Sequence, residues 1–167
     1  TGTGTGLTWA NACTSLQAAL AIAANGDQIW VAQGTNRPAP AGGDRAASFL
    51  LKNGVGIYGG FAGGETQLLQ RDWVAHPTVL SGDLNGNDGP NFANRDDNAY
   101  HVAVALNTNE TAVLDGLIVR GGYANGPGYG AVPESQDQGS GLNVYFSTPH
   151  VENCTFEDNW AFNHGTI

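Results

Sequence analysis

The chain has 167 residues, 41% of them hydrophobic but only 13% charged, and it carries 25 glycines. That length holds one domain with its own core, and the scarcity of charge beside so much glycine argues for many short strands and tight turns rather than a helical bundle. The net charge is −9. The six basic residues, Arg37, Arg45, Lys52, Arg71, Arg95 and Arg120, are dispersed, which excludes a basic nucleic-acid face, and no apolar run approaches the roughly 20 residues of a bilayer span.

In chain order, the first element is a helix over 11–24, with Leu16, Ala19, Leu20 and Ala23 at helical spacing, Asn11 or Thr14 as its cap and Asn25-Gly26 as its stop. Strand patterns follow at 28–32, 48–52, 55–60, 78–83, 101–106, 112–122, 141–146 and 150–156. Uneven loops lie at 35–46, 61–77, 84–99 and 123–140. No Asn-Gly hairpin joins neighbouring runs, so nothing requires them to be antiparallel.

An internal repeat organises the second half. Residues 114–125, LDGLIVRGGYAN, align with 151–162, VENCTFEDNWAF, at a shift of 37. Leu114 falls on Val151, Leu117 on Cys154, Val119 on Phe156 and Tyr123 on Trp160. A period of about 20–50 residues with short strands and ragged insertions points to stacked β-turns of chain, the 123–140 stretch being an insertion.

The blocks LTWANACTSLQAALAIAANGDQIWVAQGT, SFLLKNGVGIYGGFAGGET, TVLSGD, DDNAYHV and AVLDGLIVRGGYANG resemble a group of secreted bacterial right-handed parallel β-helix proteins. These are pectin-lyase-like in shape and related to polymorphic outer-membrane-protein repeats. The resemblance implies an all-β fold, a parallel β-helix of about four coils capped by the N-terminal helix, forming a single domain over 1–167. It also implies a secreted or cell-surface location.

The Gly-rich stretch 54–64 ends a strand rather than opening a helix, and no Lys follows it, so it is a corner and not a phosphate loop. Glu65, Arg71 and Trp73 are expected to pin the loop 61–77. The run SGDLNGNDGPN places Asp83, Asn85, Asn87 and Asp88 at spacings that could offer oxygens to Ca²⁺, or could simply make Asx turns. Asp96, Asp97 and Asn98 could join them. No cofactor other than Ca²⁺ is suggested. No catalytic pair or triad emerges from Asp83, Asp115, Arg120 or the dispersed His76, His101, His150 and His164.

Tyr123, Tyr129 and Tyr145, with Phe146 and Trp160, are candidates for stacking on a glycan or a partner. NET at 109–111 and NCT at 153–155 match the glycosylation acceptor pattern. Thr1 and the absence of Met imply a removed leader or a piece of a longer protein. Leu16 and Leu20 at one end, and Thr166 and Ile167 at an open C-terminal coil, are the expected assembly interface. Cys13 and Cys154 are too far apart along such a stack to form an intrachain disulfide. The expected function is an extracellular structural protein, part of a surface fibre or adhesin built by stacking. A polysaccharide lyase or carbohydrate-binding module is the alternative.

Overall fold

The computed structural model describes residues 4–128 and 135–163. After a short 3-10 turn at Trp9–Asn11 comes α1 (Leu16–Ile22), then β1 (Gln28–Ala32), β2 (Gly34–Asn36), β3 (Phe49–Leu50) and β4 (Gly56–Phe61). Next are β5 (Thr78–Ser81), β6 (Ala103–Leu106), β7 (Val113–Asp115), β8 (Ile118–Arg120) and β9 (Tyr123–Ala124). The last four are β10 (Leu142–Tyr145), β11 (His150–Glu152), β12 (Thr155–Glu157) and β13 (Trp160–Ala161). Three of these strands, β2, β9 and β13, were not anticipated, because two or three residues are too few to show an alternating pattern.

All pairing between these strands is parallel. The sheets run β1-β4-β7-β11, β10-β6-β3, β12-β8-β5-β2 and β13-β9. The repeat at a shift of 37 is the pairing register itself: Leu114 lies beside Val151, Val119 beside Phe156 and Tyr123 beside Trp160. Like residues therefore stack on like. Ile29, Ile57, Leu114 and Val151 form one ladder, and Phe49, Ala103 and Leu142 another. Ile57, Leu114, Val119, Leu80 and Phe49 are at most 1% exposed. Each such side chain contributes about 1.5–3 kcal/mol by leaving water.

The expectation of an all-β right-handed β-helix is corrected here: the chain is mixed α/β, with one α-helix and four separate parallel sheets among the described residues. The helix is part of the core rather than a lid on it. It is shorter than expected and is capped by Ser15, whose hydroxyl accepts from Ala18 N, rather than by Asn11 or Thr14. Leu16 and Leu20 are 3% and 4% exposed within the main hydrophobic cluster, so they are not available as an assembly interface. Lys52 donates to the carbonyls of Leu20 and Ala23, satisfying acceptors at the C-terminal end of α1.

The strand expected over 55–60 is β4, but Gly59 and Gly60 do not turn a corner at its end: the strand runs on through them, and its register with β1 slips by one residue between Tyr58 and Phe61. This is a β-bulge. Gly60 has φ +91, and a Cβ there would meet the Trp73 backbone nitrogen at 2.7 Å. Glycine is required both for the backbone conformation and for the close approach of the returning loop.

That loop is pinned by the three residues expected to do so. Ala62, Gly63 and Gly64 donate their N–H groups to the Glu65 carboxylate, and Trp73 backs onto Gly60. The Arg71 guanidinium lies between the Tyr58 and Trp73 rings and pairs with Asp115 at 2.5 Å.

Candidate functional site

Loop 82–98 leaves β5 and is shaped by its own polar side chains. Asp83 accepts from the backbone N–H groups of Gly86, Asn87 and Asp88, an Asx-type turn. Asn85 accepts from Gly42 N and Asn94 donates to the Asn87 carbonyl. The Asp83 and Asn85 side-chain oxygens expected to serve Ca²⁺ are thus directed at the protein's own amides. Among the described residues no three His, Cys, Asp or Glu converge as metal ligands.

Beyond this turn the chain takes left-handed backbone at Asn91, Phe92 and Asn94, then drops Arg95 and Asn98 inward. Asn98, fully buried, donates to the Gly121 carbonyl and to Asp88 Oδ2. Arg95 is 6% exposed, stacks over Phe92 with 4.4 Å from guanidinium carbon to ring centroid, and donates to the Asp158 carbonyl in the β12–β13 turn. The loop therefore ties three strand levels together.

A cleft of about 510 Å³ opens between this loop and the turns after β8 and β12. Arg37, Arg95 and Arg120 line it, together with Asp83, Asp88 and Asp158. The six bases, dispersed in sequence, are thus not dispersed in space: three of them share one cleft. Arg37 donates to the Asp83 carbonyl at 2.6 Å, and Arg120 faces Glu157 at 3.8 Å.

At the floor, Arg95 Nε is 3.6 Å from Asp88 Oδ2. That distance is an ion pair without a hydrogen bond. Arg95 Nε and Asp88 Oδ1 are both buried with no hydrogen-bond partner. Desolvation pushes the Asp88 carboxyl up, with Asp83 and Asp97 adding to it, against the Asn98 hydrogen bond and Arg95. Of the remaining acids anticipated, Asp97 accepts from Asn85 N and Asp96 is exposed on the outer side of the loop.

The other anticipated positions separate. Tyr123 packs on Trp160 at 5.0 Å, and Trp160 on Phe162 at 6.3 Å. Tyr145 instead meets Phe146 at 4.5 Å on β10 and its flank. Tyr129, His164, Thr166 and Ile167 lie outside the described residues. Asp115 and Arg120 do not meet: Asp115 is bound by Arg71 and by Asn153.

His101 is 7% exposed with Nδ1 at 3.1 Å from the Gly139 carbonyl; burial pushes its pKa down. Cys13 and Cys154 are free thiols, and burial pushes the Cys154 thiol up. Of the two acceptor sequences, Asn109 is exposed, whereas Asn153 donates its amide to Asp115.

A scan of family models, a search of curated proteins and a search of solved structures each find no match to this chain.

Proposed function

We propose that the chain is an extracellular structural element, a subunit or segment of a surface fibre or adhesin that assembles by parallel strand addition. The observation that carries this reading is that β10, β11, β12 and β13 are each the outermost strand of their sheet. Val144, Val151 and Phe162 are 46%, 38% and 72% exposed along them. A strand edge with unpaired N–H and C=O groups is a template for another strand, and exposed apolar side chains at the same edge add to the attraction. The occupant is a second polypeptide offering parallel strands.

His150 N is bonded inward to the Ala112 carbonyl, so the alternation of a parallel strand turns Val151 N outward. Val151→Pro removes an outward donor without touching the internal ladder. Sedimentation velocity and negative-stain microscopy should show concentration-dependent association and filaments for the wild type, lost in Val151→Pro. A wild type that stays monomeric at high concentration would overturn this function.

A second reading, a carbohydrate-binding module, is supported by the aromatic row Tyr123, Trp160 and Phe162. Sugar rings stack on such rows. Trp160→Ala should then abolish retention on a glycan array.

A further inference from the structure

We infer that the cleft under loop 82–98 binds a small zwitterion of the α-amino-acid type, its carboxylate on Arg95 and its ammonium on Asp88. Two residues that line the cleft each carry a buried polar atom without a partner, the donor Arg95 Nε and the acceptor Asp88 Oδ1, and Arg95 Nε lies 3.6 Å from the other Asp88 oxygen, Oδ2. Buried polar atoms in folded proteins are nearly always bonded, and those that are not mark a functional place. Neighbouring groups do not use them: the Asp83 carboxylate is held by three backbone amides, and Arg37 is bonded to a carbonyl.

The charge count selects the ligand class. Three arginines and three aspartates line the cleft, so its formal charge is balanced. A simple anion or a simple cation would leave the occupied cleft with a net charge. A ligand carrying both signs on adjacent atoms leaves the balance intact and gives each unpaired group a charge-assisted hydrogen bond. In an α-amino acid the ammonium and carboxylate sit on one carbon, which suits a guanidinium and a carboxylate as close as Arg95 Nε and Asp88 Oδ2 are at 3.6 Å. The volume of about 510 Å³ is within the range of small-molecule sites and leaves room for a side chain. The desolvation that raises the Asp88 carboxyl is relieved when an ammonium arrives.

The test is isothermal titration of the whole chain with glycine and a panel of free L-amino acids at neutral pH. At least one should bind with a Kd near or below about 1 mM, and its methyl ester and its N-acetyl derivative should each bind at least about tenfold more weakly. Asp88→Asn and Arg95→Lys should lose binding by a similar factor, with circular dichroism checking that each is folded. The ester and acetyl arms need no variant, so the inference stays testable if both substitutions unfold the chain. No amino acid binding below about 10 mM would overturn it, as would equal binding of the blocked derivatives. Saturable binding of a methyl glycoside in the cleft, without amino-acid binding, would reassign the site to a polyol and overturn it equally.

Discussion

The molecule holds two buried Arg–Asp pairs that differ in completeness. Arg71 meets Asp115 at 2.5 Å, donates also to the Asp115 and Gly59 carbonyls, and its partner receives a second hydrogen bond from Asn153. Arg95 and Asp88 approach only to 3.6 Å, and each keeps a buried atom unbonded. Burial alone therefore does not tell what a pair is for. The first is a clamp that leaves no buried side-chain atom of either residue without a partner, and the second is held open at a cost in desolvation. Cost without local return is what a binding site carries and a structural staple does not.

The largest effect should come from breaking the complete pair. Asp115→Ala leaves a guanidinium with 8% side-chain exposure uncompensated, and should cost about 3–5 kcal/mol. Chemical denaturation measures this directly, and a loss below about 1 kcal/mol would show that the clamp is not what holds loop 61–77. Gly60→Ala should follow at about 2–3 kcal/mol, combining left-handed strain with the 2.7 Å approach of Trp73 N.

Other staples put the two pairs in context. Arg37, Arg45, Lys52, Arg71 and Arg95 all donate to backbone carbonyls far away in sequence. A chain with so few charges uses its bases to fasten loops. This could not be read from the sequence, because the separations run from 12 to 78 residues and no periodicity connects the partners. By contrast, the pairing of 114–125 on 151–162 was legible, because parallel stacking puts like side chains together and so writes its register into the composition of each strand. The strands β2, β9 and β13 were too short to leave such a mark, and the core role of α1 depends on contacts that its own periodicity does not specify.

Replacing the incomplete pair should have the opposite sign to breaking the complete one. Asp88→Leu with Arg95→Met removes two unsatisfied buried atoms and should be neutral or stabilising by about 1 kcal/mol at pH 7. The pH dependence sharpens this. The Asp88 carboxyl is raised in the fold, so its contribution is most favourable below the ordinary carboxylate pKa and is lost as pH rises through its raised value. The double variant's advantage should therefore shrink as pH falls from 7 toward 4, read as converging melting temperatures. A constant advantage would mean that Asp88 titrates normally and that the two pairs differ less than their geometry says.

The smallest effect concerns Glu65, which closes the loop beside the complete pair. Slight desolvation works upward on its carboxyl, but the N–H groups of Ala62, Glu65, Gly64 and Gly63 outweigh it and bring it from 4.5 down to about 2. A depressed carboxylate supplies stability that is in place above its ordinary pKa and is lost as pH falls through the depressed one, so this local contribution should disappear between about pH 4.5 and 2. The Trp9 indole N–H donates to the Glu65 carbonyl at 2.9 Å and offers a proton resonance to follow. Its shift should titrate with a midpoint near 2, and Glu65→Gln should remove that transition and speed amide exchange at Gly63 and Gly64 without changing the global melting temperature by more than a degree or so. A midpoint near 4.5 would mean that the amide nest around Glu65 is not closed in solution, and that loop 61–77 depends on Arg71 alone.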